Sequence, residues 1–114
     1  MQQPVQISSR YVSLSEAARE NLRRRVAKLE RFCDRIQGCR IMVEAPHRHK
    51  HQGVLYHVRI ELSLPGGRIV VRRAPHEDLY VAIREAFDAA RRQIVSFLRR
   101  QRPGHVSLPL VEPA

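Results

Sequence analysis

The chain has 114 residues, 43% of them apolar, and a formal net charge of +10. That length suits one domain burying roughly two-thirds of its unfolded surface, and the apolar content excludes disorder as the default state. The cations are 19 arginines against 2 lysines, Lys28 and Lys50, an excess that points to a polyanionic partner, with a planar fork suited to phosphate and base.

Val5, Ile7 and Ser9 alternate with Gln6, Ser8 and Arg10, a short first strand. Ser13-Leu14-Ser15-Glu16 fits a capping box, with Ser13 as the cap and Glu16 reaching back to it. From there Ala18, Leu22, Val26, Leu29, Cys33 and Ile36 fall within about 80° of arc. The spacing predicts a helix with one core stripe, ended by Gly38. Arg40 to Glu44 alternates with Ile41 and Val43 inward, a second strand. Pro46 to Gly53 is a polar loop holding His47-Arg48-His49-Lys50-His51. Tyr56, Val58, Ile60, Leu62 and Leu64 face one side of a third strand, with His57, Arg59, Glu61 and Ser63 on the other. Pro65-Gly66-Gly67 is a turn, and Arg68 to Arg73 returns as a fourth strand. Pro75 breaks the chain before a second helix, whose first turn carries Glu77 and Asp78. Its core face is Leu79, Ile83, Ala86, Phe87, Ala90, Ile94 and Phe97. It ends near Gln101, where Arg99, Arg100 and Arg102 complement the carbonyl end, and Pro103 and Gly104 stop it. The pattern therefore predicts one domain over residues 1–102 and a flexible tail over 103–114. The order strand, helix, three strands, helix defines an α+β fold: two helices on one face of a four-stranded sheet, the other face polar and wet.

Arg24, Lys28, Arg31 and Arg35 recur at steps of four, three and four and project within roughly 60° of arc. The acids Glu16, Glu20, Glu30 and Asp34 lie on an adjoining arc. An ordinary solvated face with i,i+4 pairs is the bland alternative. Against it stand the ridge's continuity over about three turns and the excess charge. GC-rich coding also explains arginine over lysine, but not the net charge. Three Tyr, three Phe and no Trp argue against a stacking platform and for a binder that tracks backbone and shape. Tyr80 reads as a half-buried ring with a wet hydroxyl rather than a stacking surface. The outward residues His57, Arg59 and Arg72 read as the ordinary polar face of the sheet, with a second contact surface as the alternative.

His47, His49 and His51 carry the residue type a zinc site needs. No acid or thiol neighbours them, however, and Arg48 and Lys50 repel a cation, so no metal is assigned. The segment reads instead as a cationic finger that gains charge on acidification. No Gly-rich loop follows a strand, no nucleophile has an evident base, and no carboxylate dyad stands out, so neither catalysis nor a cofactor nor a small-molecule substrate is assigned. Cys33 and Cys39 make no disulfide framework and read as reduced thiols, Cys33 in the core. With no apolar run near the ~20 residues of a span and no leader pattern, the expectation is a cytoplasmic chain without a membrane partner.

Two stretches carry a resemblance: Glu16-Ala17, Arg25-Val26-Ala27-Lys28-Leu29-Glu30-Arg31-Phe32 and Asp34-Arg35-Ile36, then Asp78-Leu79-Tyr80-Val81-Ala82-Ile83, Phe87-Asp88 and Arg92-Gln93-Ile94. From about Val5 to about Arg100 the chain resembles the ribosome hibernation promoting factor and ribosome-associated inhibitor A family. The resemblance implies a βαβββα domain similar in shape to double-stranded-RNA-binding domains. It further implies binding to the small ribosomal subunit in the channel between head and body, over the tRNA and mRNA positions, silencing translation in stationary or stressed bacterial cells. Members with a long C-terminal extension dimerise ribosomes through it, and this chain is similar to the short form. Arg25, Lys28, Arg35 and Arg92 match basic positions of the family. Ala89 and Ser96 stand where members often carry lysine, arginines stand instead at Arg84, Arg91 and Arg99, and the loop is richer in histidine than is usual. The candidate RNA-binding set is thus Arg24, Arg25, Lys28, Arg31, Arg35, Arg84, Arg91, Arg92 and Arg99 with His47, Arg48, His49, Lys50 and His51, and the partner is 16S-type rRNA. The rivals are a stress protein for other structured RNA and, from a different class, a metal-binding protein built on the histidine loop.

Overall fold

In chain order the elements are β1 (Gln6–Arg10), α1 (Glu16–Phe32), β2 (Gly38–Glu44), β3 (His57–Leu64), β4 (Gly67–Arg72) and α2 (Leu79–Arg100). The structure is a computed structural model and describes residues 1–46 and 53–101. The sheet runs β1-β2-β3-β4, with β1 parallel to β2 and the other two pairs antiparallel. This is the predicted α+β arrangement in the predicted order.

Period-2 alternation decides which face of the sheet is dry. Ile7, Ile41, Ile60 and Val71 align across all four strands in register. Ile41, Ile60 and Val71 have no exposed surface. They cluster with Leu22 and Val26 of α1 and Ile83, Phe87 and Ile94 of α2, so both helices cover the same side. Among the described residues every buried side chain is apolar or a cysteine. Truncating one of the large ones, such as Leu22→Ala, costs about 2–5 kcal/mol by lost transfer and cavity.

The helix ends differ from the sequence pattern. Ser15, not Ser13, caps α1: its hydroxyl accepts from the Ala18 amide at 3.1 Å, while Val12 and Leu14 pack against the core. The capping box therefore does not form, and Glu16 is the first helical residue. At the other end α1 stops at Phe32, with Cys33 extended at φ −142°. Cys33 and Ile36 stay buried but are delivered by non-helical chain, and Gly38 opens β2 instead of ending the helix. The chain must leave the helix there, because the Gln37 amide donates to the Ser63 carbonyl at 2.8 Å and Gly38 pairs with Ser63. In α2, Asp78 is the cap itself, its Oδ1 accepting from the amides of Tyr80 at 2.9 Å and Val81 at 3.4 Å. Glu77 precedes the helix, and the first turn holds no acid.

The β3–β4 turn needs its glycine. Gly66 sits at φ +91° after Pro65, the residue order of a type II turn. Gln101, the C-cap of α2, donates from Nε2 to the Pro65 carbonyl at 3.0 Å, tying the helix end to the hairpin. Among the described residues no helix is long and apolar enough to cross a membrane.

Candidate nucleic-acid interface

An arginine ridge is open to a ligand only if its own acids are occupied elsewhere, and on α1 they are. Glu16 and Glu20 both pair with Arg23 at 3.5 Å, on the arc that adjoins the ridge. Glu30 pairs with the Met1 amino group at 3.0 Å. Among the described residues, no salt bridge includes Arg24, Lys28, Arg31 or, on α2, Arg84, Arg91, Arg92 or Arg99. All of these are exposed. Arg25 is half-buried and gives Nε to Asn21 Oδ1 at 3.2 Å, which leaves its charge unneutralised.

A cation–π contact bridges the two helices on this surface. The Arg91 guanidinium carbon lies 4.4 Å from the centroid of the Phe32 ring, a cation–π arrangement. Phe32 is 41% exposed, so the ring is a platform on the outer surface, between α1 and α2. Going round α1 from Phe32, Lys28, Arg24 and Arg31 follow at about 40°, 80° and 100°, and Glu20 and Glu16 only at about 120° and 160°. On α2, Arg84 stands two turns before Arg91 on the same side, with Arg92 and Arg99 about 80–100° further out. The cations of both helices therefore converge over the α1–α2 seam, and the α1 acids lie beyond it.

Arg35 departs from the predicted ridge, because it lies in the turn after α1 rather than on the helix. It remains exposed and without a salt bridge among the described residues. The loop residues His47, Arg48, His49, Lys50 and His51 lie outside the described residues, as do Arg102 and the tail. Two members of the surface have no counterpart in the sequence-derived set. Phe32 could have been found from its place off the apolar stripe of α1. Asp88 is one turn from both Arg84 and Arg92 and forms no salt bridge among the described residues. It is a negative charge set inside the positive surface.

Burial, with the charge of Glu30 nearby, pushes the Cys39 thiol up to about 12, far from a nucleophilic thiolate at neutral pH. Tyr80 is 44% exposed at the start of α2. Among the described residues no group of three or more His, Cys, Asp or Glu is placed to hold a metal ion.

Fold and surface together define a βαβββα domain that presents a cationic helical face. The chain belongs to the family described as sigma 54 modulation protein / S30EA ribosomal protein, whose model matches residues 5–102. A Deinococcus radiodurans relative named ribosome hibernation promotion factor is 31% identical over 112 residues, 96% of this chain and 58% of that protein. A Pseudomonas putida relative named ribosome hibernation promoting factor is 28% identical over 97 residues, 85% of this chain and 88% of that protein. The chain thus spans little more than half the length of the Deinococcus protein and most of the Pseudomonas one. Among solved structures, a ribosomal subunit interface protein from Coxiella burnetii superposes with a TM-score of 0.70 at 20% identity, covering 82% of this chain and 96% of that one. The N-terminal domain of Thermus thermophilus Protein Y does so with 0.66 at 24% identity, covering 81% and 94%. At those identities the two structures establish the fold alone.

Proposed function

We propose that this protein is a ribosome-associated translation inhibitor, a hibernation factor, that binds the rRNA of the small subunit through the seam of α1 and α2 and blocks the decoding channel to tRNA and mRNA. Its place of action is the cytoplasm, and residues 1–102 form the ribosome-binding domain. The observation that carries the reading is the disposal of the α1 acids. Arg23 and the Met1 amino group occupy Glu16, Glu20 and Glu30, which leaves Arg24, Lys28 and Arg31 as uncompensated charge beside Arg84 and Arg91. The names of the curated relatives support the ribosome as the partner.

Such a surface acts by positioning rather than by base readout: guanidinium forks displace counterions from phosphates and fix orientation, with no sequence code. Occlusion then follows from bulk, since a folded domain lodged where mRNA and tRNA pass excludes both without chemistry. The test is co-sedimentation with purified small subunits, with and without excess competitor tRNA, alongside a translation assay. Co-sedimentation that survives the competitor, with reduced peptide synthesis, is the expected result. Binding abolished by competitor tRNA, with synthesis unaffected, would instead identify a general structured-RNA binder.

A further inference from the structure

The face of the sheet turned away from the helices is not charge-balanced. It carries Arg10, Arg40, Arg59, Arg68 and Arg72 against two carboxylates, Glu44 and Glu61, set by the alternation opposite to the core positions. Glu44 is taken by Arg10 at 3.6 Å. Glu61 is shared between Arg59 at 2.8 Å and Arg68 at 3.7 Å. Arg40 has only a neutral acceptor, Gln6 Oε1 at 3.2 Å, and Arg72 has no salt bridge among the described residues.

Two details separate this face from an ordinary wet one. Arg59 and Arg72 stand directly opposite each other across β3 and β4, and like charges so placed destabilise a sheet. Glu61 also holds the Arg59 guanidinium so that its Nε is buried with no acceptor. Beside it lies a hollow of about 170 Å³ lined by Ser8, Arg40, Met42, Arg59 and Glu61. That is room for a phosphate group in place of several waters of about 30 Å³ each. An oxyanion laid between Arg40, Arg59 and Arg72 relieves the Arg59–Arg72 like-charge pair, with three guanidiniums outweighing the single Glu61 carboxylate that stands opposite Arg40 and pairs with Arg59.

We propose that this open sheet face is a second RNA-binding surface, on which Arg40, Arg59 and Arg72 hold the sugar–phosphate backbone of a segment other than the one on the helices. The occupant is a nucleic-acid backbone rather than a protein because the face sets five arginines against two carboxylates with no Tyr, Phe or Trp at its outward strand positions, a cationic excess that suits a polyanion. The inference extends the proposed ribosome binding: a domain with RNA on both sides joins two segments.

The test uses the full chain, with protein-free small-subunit rRNA and intact small subunits as probes, titrated at 50 and 200 mM salt. Arg72→Glu gives Arg59 a cross-strand carboxylate, so it retains the fold. Arg40→Gln with Arg72→Gln removes two contacts without reversing charge. The expected result is weaker binding of protein-free rRNA by both variants, with a salt slope shallower by about 1.8 for the double variant and a further loss when Arg24→Ala and Lys28→Ala are added. Sheet variants that bind like wild type while the helix variants weaken would overturn this inference and leave the helical reading standing. Sheet variants that weaken binding while the helix variants do not would support it and overturn the helical reading. Loss of affinity for intact subunits but not for protein-free rRNA would also overturn it, by showing a protein partner on this face.

Discussion

The helical surface makes a quantitative demand on Arg24 and Lys28. Both are exposed and outside every salt bridge among the described residues, so replacing both by Ala should leave folding stability within about 0.5 kcal/mol. If each neutralises one phosphate, log K falls with log salt by about 0.9 per contact, so the double variant's slope is shallower by about 1.8. From 50 to 200 mM the salt rises fourfold, and a slope difference of 1.8 over that interval is about tenfold in K. The affinity ratio of wild type to variant must therefore shrink about tenfold between those two conditions, which an anisotropy titration of labelled rRNA resolves. Arg23→Ala combined with Glu16→Gln and Glu20→Gln is the internal control: that guanidinium is committed to those two carboxylates, so removing it together with both partners should leave the slope unchanged. A double variant with the wild-type slope, or an Arg23 variant with the shallow one, would refute the assignment of the ridge.

Other predictions follow from single features. Ser15→Ala should cost about 1 kcal/mol of stability through the lost cap, while Ser13→Ala stays within about 0.5 kcal/mol; urea midpoints of the two variants decide which serine caps α1. Asp88→Asn removes the carboxylate between Arg84 and Arg92 and should tighten rRNA binding roughly twofold at low salt, an effect that disappears at high salt by screening. The Cys39 thiol is raised from 9.0 to about 12, so above pH 9 the unfolded chain releases a proton that the folded one keeps. Stability is therefore nearly intact below pH 9 and falls as pH rises toward 12, by roughly 2 kcal/mol between pH 9 and 11. Cys39→Ala should flatten that limb of a urea-midpoint profile.

The strands and core stripes were legible because one period explains each: Val58, Ile60, Leu62 and Leu64 alternate, and Leu22, Val26 and Leu29 repeat at helical spacing. Helix ends were less so, because the deciding contacts are tertiary. Ser13 and Ser15 look equivalent in sequence, and the packing of Val12 and Leu14 on the core selects the second. Cys33 and Ile36 fit the helical stripe and are buried, yet the pairing of Gly38 with Ser63 pulls them out of the helix and Arg35 with them. Spacing revealed the ridge but not the fate of its acids, since Glu30 is claimed by a residue 29 positions away. Nor does local pattern reveal that Arg91 lies on Phe32, where the two basic helices meet on their outer surface.

A chain with 21 cations and 11 acids has few carboxylates to distribute, and where they go sets which surfaces can act. Asp78 serves a helix cap, Glu16 and Glu20 converge on Arg23, Glu30 goes to the amino terminus, and Glu44 and Glu61 go to the open sheet face. On the seam of the helices Asp88 stands between Arg84 and Arg92, and among the described residues it forms no salt bridge with either. The same number of acids spread evenly at i,i+4 spacing would neutralise the helices in place and leave a stable but passive domain. Their segregation keeps the cations poorly compensated until a polyanion arrives. Affinity should therefore respond more steeply to placing one more acid within a turn of the ridge, as in Ala27→Glu at i,i+3 from Arg24 and i,i+4 from Arg31, than to deleting one acid from the far side of α1.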